Sequence, residues 1–397
     1  MEKETNNGCS CETEKVENQE CGCQETAAEG KCAECEASAV KELRVDCGDT
    51  VYAFQFAEVQ FEITGVCNMC CEHCRAADDE FVDLDISQIE KVIRFVRKYS
   101  PHYKEVTVSG GEPFMHKQFR EILALLRKEN VTHLTLTTNG TFVDDDILDY
   151  ISGLNFERVT FSISLDFLDP ETHNKFRNCT YAYEVAVNAM KRIRERDNPA
   201  FFVSMRSTIL PENIEKMESM VLFAKGLNLH RISFSSVLPS GRAKGNKALI
   251  MTPSQLTKFS QELQRLALKY RGEIQISSNE PLKWQARELH PEKTDGSTLI
   301  IDCCPAGTLS FNINSNGDMT PCSLLNLPMM NVISMTSEEI EEAYVNSPIV
   351  KALLTRSFTG KCGSCAYRCE CGGCRVRAFN LVNDYLGEDP LCEAGPF

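Results

Sequence analysis

Between residues 57 and 240, short β-branched, apolar-rich runs alternate with longer segments whose apolar residues recur at helical spacing, and this exchange constrains the fold more than any other feature of the chain. Strands are expected over 59–64, 105–109, 134–138, 158–165, 201–209 and 231–237. Helices are expected between them over 86–99, 119–126, 144–154, 181–196 and 212–227. The first helix shows the pattern well, with Ile86, Ile89, Val92, Ile93, Phe95 and Val96 on one face. Strands and helices exchanging at this interval give a parallel sheet. About six units fit, fewer than the eight that close a barrel. The expectation is therefore an α/β chain built on an open, partial (β/α)6 TIM-like barrel over residues 55–245. Thr252-Pro253 signals a further helix over 256–270. Residues 246–300 are expected as a helical bridge leading to a short, Gly- and Cys-rich segment over 301–397.

Twenty-one cysteines in 397 residues set the chemistry. The N-terminus is polar and lacks the apolar core of a secretory signal. No apolar run approaches the roughly 18 residues of a membrane span. A soluble, cytoplasmic protein without membrane contact is expected, and there thiols at C-x2-C spacing suit metal better than disulfides. The formal charge of −15 speaks against a nucleic-acid surface but leaves room for a local basic pocket. Residues 1–45 differ from the rest, with Cys9, Cys11, Cys21, Cys23, Cys32 and Cys35 set among Glu, Gly, Ala, Asn and Gln. Such a tail is expected to be disordered, because it has too little apolar surface to fold. Its thiols could chelate soft metals, mimic a fused substrate peptide, or have no role.

The first predicted strand delivers Cys67-Asn-Met-Cys-Cys71-Glu-His73-Cys74, a C-x3-C-x2-C triplet. A closed electron-transfer cluster takes four cysteines, whereas three leave one iron of a four-iron cube open. A zinc knuckle or unrelated buried thiols would be the plainer readings. Ser109-Gly110-Gly111-Glu112-Pro113 follows the second strand, where two glycines admit a close ligand and a carboxylate can accept from an ammonium group. Asn139 ends the third strand, Ser162-Ile-Ser164-Leu-Asp166 the fourth, and Arg206 lies in the fifth. Cys70 does not fit the triplet spacing and is read as packing.

Together these motifs resemble the radical S-adenosylmethionine superfamily over residues 57–245. The resemblance implies that Cys67, Cys71 and Cys74 hold a 4Fe–4S cluster whose open iron chelates S-adenosylmethionine. One electron then cleaves the sulfonium bond to give a 5′-deoxyadenosyl radical, which abstracts hydrogen from substrate. It further implies His73 near the adenine, Gly110, Gly111 and Glu112 at the methionine amine, Ser164 and Asp166 at the ribose, and Asn139 facing the cofactor. Arg206 would meet the carboxylate. The sixth-strand loop, Val237-Leu-Pro-Ser-Gly-Arg242, is either near adenine or an ordinary turn.

The C-terminal cysteines resemble the SPASM extension of that superfamily. Cys304 is followed by Gly317 and Cys322, then by Cys362-x2-Cys365-x5-Cys371-x2-Cys374 and Cys392. The family usually has three residues, not two, before the position of Cys374. A zinc ribbon would need about 15–20 residues between its Cys pairs, and five are present between Cys365 and Cys371. By family precedent Cys304, Cys322 and Cys374 serve one auxiliary 4Fe–4S cluster, with Cys303 or Cys369 available to complete it. Cys362, Cys365, Cys371 and Cys392 serve the other. Arg375 and Arg377 would either raise a cluster's potential or be solvated.

The resemblance implies an oxygen-sensitive oxidoreductase, suited to an anaerobic host, supplied by a flavodoxin- or ferredoxin-type donor and acting on a peptide substrate to form a thioether or C–C crosslink. A tetrapyrrole substrate is the alternative, because 371–378 and 384–392 also resemble haem-pathway members. A non-catalytic iron–sulfur carrier is the reading from another class. No general acid or base stands out.

Overall fold

A computed structural model describes residues 41–78, 81–278, 280, 299–300, 304–369 and 371–393. The expected tail over 1–45 lies mostly outside them, but its last residues need correction. Leu43–Asp46 (β1) pairs antiparallel with Val51–Phe54 (β2), and Leu43 and Val45 are buried in the main core. Alternate apolar residues on one face explain why so short a hairpin is retained.

The sheet has six parallel strands in chain order: Glu58–Glu62 (β3), Glu105–Ser109 (β4), His133–Thr138 (β5), Arg158–Ser164 (β6), Phe201–Ile209 (β7) and Arg231–Ser236 (β8). Their positions agree with the expected strands to within two residues. The crossovers carry Ile86–Tyr99 (α1), Phe119–Lys128 (α2), Asp145–Gly153 (α3), Pro170–Arg177 (α4), Ala182–Glu195 (α5) and Met217–Gly226 (α6). Pro253–Lys269 (α7) starts on a capping box between Thr252 and Gln255.

The segment 246–300 is more than a bridge. After α7 it adds Gln275–Ser277 (β9) and Leu299–Ile300 (β10) in parallel beyond β8. Strands this short leave too little periodicity to be read ahead of the structure. On the opposite edge Ser310–Ile313 (β11) runs parallel to β3, followed by Asp318–Thr320 (β12) and Met330–Asn331 (β13). Among the described residues the result is an open sheet of eleven strands. The C-terminal segment is thus continuous with the sheet that carries the triplet.

Apolar faces of the crossover helices cover the outer side of the sheet, as Ile89, Val92, Ile93, Phe95 and Val96 of α1 show. The opposite side, inside the curve, carries Glu58, Gln60, Thr107, Ser162, Ser204, Arg206 and Arg231. Ser337–Asn346 (α8) packs beside α1, with Pro348–Leu354 (α9) against α8, and the Lys91 ammonium of α1 donates to the carbonyls of Val332, Ile333 and Met335. Gly360–Ser364 (α10) and Arg375–Val382 (α11) complete the cysteine-rich end.

Candidate cofactor and cluster sites

The triplet loop follows β3 and is held against the turn after β4. Gly111 N donates to the Thr64 carbonyl at 2.7 Å, and Glu112 N to the Val66 carbonyl at 2.8 Å. This approach requires glycine. A Cβ on Gly110, whose φ is +147°, would stand 2.4 Å from the Thr64 carbonyl oxygen, and one on Gly111 2.3 Å from that of Val66.

Cys67, Cys71 and Cys74 gather with Met69, Cys179, Ala182 and Val185 in one apolar cluster. Burial pushes the Cys67 thiol up to about 12 and also raises Cys71. Bare thiols there stay protonated, whereas a metal deprotonates its ligands outright. Among the described residues no three His, Cys, Asp or Glu side chains close around a lone metal ion. His73 stacks on Phe176, 4.5 Å between centroids and 4° between planes. Burial pulls this imidazole down to about 3, so it is neutral. Its Nδ1 is buried without a hydrogen-bond partner. An orphaned polar atom of this kind fits a site that binds a polar ligand.

Ser164 and Arg206 are register partners on β6 and β7 and therefore share the inner face. Arg206 forms no hydrogen bond or ion pair among the described residues, and the cations of Arg75 and Arg177 add to its burial in lowering its pKa. A partly buried cation without a protein partner, with the cations of Arg75 and Arg177 outweighing the carboxylates of Asp166 and Glu58, suits an anionic ligand.

Three of the expected contact residues are engaged by protein partners. Glu112 is fully buried, and its carboxylate accepts from Thr138 Oγ1 at 2.7 Å and from Asn139 N at 2.8 Å. Desolvation pushes it up to about 7. Its oxygens hold the end of β5. Asp166 is likewise fully buried, with Oδ1 accepting from Thr208 N at 2.9 Å and Oδ2 from Arg177 Nε at 2.7 Å. Although desolvation opposes ionisation, the Arg177 cation holds Asp166 down to about 2. Asn139 donates to Asn68 Oδ1 at 2.8 Å, which ties β5 to the triplet loop. For all three the cause is the same: a polar side chain at a strand end has found a protein partner.

The C-terminal thiols fall into two groups. Cys322 and Cys374 share one apolar cluster, and Cys304 lies within electrostatic reach of Cys322. Cys371 lies within reach of Cys362 and Cys392, while Cys365 caps α10, which holds Cys362. Burial pushes Cys322 up to about 11 and Cys371 and Cys374 up to about 12. Cys369 is disulfide-bonded, and Cys303 lies outside the described residues.

Arg375 and Arg377 are buried and not solvated. Arg375 Nη2 contacts Cys362 Sγ at 3.6 Å, and its guanidinium lies over Phe358. Arg377 pairs with Asp389 at 2.7 Å and with Glu280, just past β9, at 2.9 Å. Sequence reasoning missed Glu280, and also the ion pair of Glu62 with Arg75. Arg75 follows Cys74 and donates to the Ser323 carbonyl at 2.9 Å, so it joins the triplet loop to the Cys322 loop.

Residues 61–224 match the Radical SAM superfamily. The AdoMet-dependent heme synthase of Methanosarcina barkeri (strain Fusaro / DSM 804) is 27% identical over 84% of this chain and 95% of its own. The mycofactocin maturase MftC of Mycobacterium tuberculosis (strain CDC 1551 / Oshkosh) is 23% identical over 84% of this chain and 82% of its own. Streptococcus suis SuiB, in a crystal structure bound to precursor peptide SuiA, shares the fold with a TM-score of 0.65 and 17% identity, over 86% of this chain and 76% of SuiB. Residues 61–224 thus carry a Radical SAM domain, a cysteine-rich segment follows it, and the fold over 86% of the chain is that of SuiB. The chain is an oxidoreductase-type enzyme of S-adenosylmethionine and 4Fe–4S clusters. Among the described residues no helix is long and apolar enough to cross a membrane.

Proposed function

We propose that Cys67, Cys71 and Cys74 hold the S-adenosylmethionine-cleaving cluster and that the enzyme oxidises a carboxylated tetrapyrrole. The likeness to a heme synthase, which runs along 95% of that relative, carries the choice of substrate and moves the tetrapyrrole ahead of the peptide expected from sequence. When bound, the cluster supplies the electron that splits the sulfonium bond. The chain's own residues do the rest. Gly110 and Gly111 let the turn after β4 pack against the triplet loop, Ser164 and Arg206 present a hydroxyl and a cation from adjacent strands, and His73 offers a neutral ring. Glu112, Asn139 and Asp166 keep these parts in place. Cys304, Cys322 and Cys374 would hold one auxiliary cluster, and Cys362, Cys365, Cys371 and Cys392 the other.

Peptide maturation is the second reading, favoured by the likeness to MftC over 82% of its length. A flavodoxin- or ferredoxin-type protein would supply electrons, and a cytoplasmic location suits that supply. Oxygen-free enzyme, reconstituted and reduced, should form 5′-deoxyadenosine and change the mass of a porphyrin carboxylate offered with it. A mass change in an offered peptide alone would replace the first reading with the second. No 5′-deoxyadenosine from a chain with full iron content would leave the carrier.

A further inference from the structure

Arg177, the last residue of α4, directs Nη1 at Cys71 Sγ across 3.7 Å. Its other nitrogens are held by Asp166 Oδ2, with Nε at 2.7 Å and Nη2 at 2.6 Å. Asp166 is itself clamped from three sides. Thr208 N donates to its Oδ1, Asn213 Nδ2 donates to its carbonyl at 3.2 Å, and its own N donates to His173 Nδ1 at 3.2 Å. The triplet loop is bound to the same unit, since Glu72 N donates to the Phe176 carbonyl at 3.0 Å. From the other side Arg242 Nη1 donates to the Cys71 carbonyl at 2.8 Å. A guanidinium fork is rigid and planar. With two of its nitrogens fixed on one carboxylate, the third N–H has little choice of direction.

We propose that Arg177 is a positioning residue for the triplet cluster, donating an N–H to the Cys71 sulfur from a fork locked by Asp166 and so raising the cluster's reduction potential. This rests on the ligand reading of Cys67, Cys71 and Cys74 proposed above. Hydrogen bonds to cluster sulfurs are among the factors that set the potential, and outer partners orient ligands and tune the metal. The sign follows from charge. Reduction adds an electron, and a cationic donor at a sulfur stabilises the more negative state. The Asp166 carboxylate, also within electrostatic reach of Cys71, offsets part of the charge but leaves the N–H that Arg177 directs at the sulfur.

The test is an EPR-monitored redox titration of reconstituted, full-length protein, with the triplet signal identified as the one that changes on adding S-adenosylmethionine. Arg177→Gln combined with Asp166→Asn removes the donor without stranding a buried carboxylate. The pair should shift the reduction equilibrium at least tenfold toward the oxidised cluster, about 59 mV for one electron. Arg177→Lys, which keeps the charge but loses the fork, should fall in between. If the variants lose iron, wild-type protein labelled with 15N-arginine settles the matter, because the reduced triplet cluster should show hyperfine coupling to nitrogen. An unchanged potential at full iron content, or absent coupling in the labelled wild type, would overturn the role of Arg177 alone. A wild-type chain with no signal responsive to S-adenosylmethionine would overturn the ligand reading together with it.

Discussion

Replacing Arg377 with Met should loosen the cysteine-rich domain from the barrel far more than an ordinary core substitution. The Arg377 side chain is 2% exposed, and its partners Glu280 and Asp389 are 5% and 3% exposed. Nε and Nη2 bond the Asp389 carboxylate, and Nη1 bonds Glu280. These carboxylates also organise backbone around them. Asp389 accepts from Cys374 N at 2.9 Å and Leu391 N at 3.1 Å, and Glu280 accepts from Ser236 N at 2.9 Å. Methionine approximates the volume but leaves two carboxylates buried without their cation. Breaking a buried ion pair from one side costs about 3–5 kcal/mol. At about 1.4 kcal/mol per power of ten, the amides of α11 should exchange with deuterium roughly two to nearly four powers of ten faster. Hydrogen-exchange mass spectrometry on intact protein reads this directly, and the α1 and α2 amides serve as internal controls. The triple variant with Glu280→Gln and Asp389→Asn should recover much of the loss, because its buried groups are neutral. Wild-type exchange in the Arg377→Met variant would refute the reasoning. So would a triple variant no better than the single one, which would mean that lost packing and not stranded charge governs the site.

Two further outcomes follow from the turn after β4. Gly111→Ala puts a Cβ 2.3 Å from the Val66 carbonyl oxygen, which is backbone and has no rotamer to yield. The triplet loop must shift, and iron content or S-adenosylmethionine affinity should fall at least about tenfold, as for lost ligand-positioning contacts, while circular dichroism stays native. Full iron with unchanged affinity would count against this packing. Glu112→Gln makes a pH-dependent prediction. Burial raises the folded carboxyl to about 7 from an ordinary 4.5. For a raised value, the stabilising contribution is complete below the unfolded value and is lost as pH rises through the folded one. The variant should therefore gain stability over metal-free wild type between pH 4.5 and 7, levelling off near roughly 3 kcal/mol. Melting temperatures that differ by the same amount at pH 5 and pH 8 would refute it.

Near-neighbour patterns determined much of this protein. The strand and helix rhythm between 57 and 240 places β3 to β8 almost to the residue, because burying one face of each element depends on spacing within that element. Thr252, Pro253 and Gln255 announce α7 by the chemistry of its first turn. The pairing of Gly110 and Gly111 with the triplet is also readable, since both stand at the ends of adjacent strands. Elements of two to four residues, β1, β2, β9 and β10, were beyond such reading. Pro170–Arg177 was passed over as well, although Asp169 caps it and Pro170 opens it, because its apolar stripe is weak. What each polar side chain at the site does was decided only by the folded chain. Arg177 meets Cys71 across 106 positions, Arg377 meets Glu280 across 97, and Arg75 meets Ser323 across 248. Glu112 and Asp166 looked like ligand contacts, yet both are closed into the protein. A buried charge must find a partner wherever the fold supplies one, and no local pattern records which partner that will be.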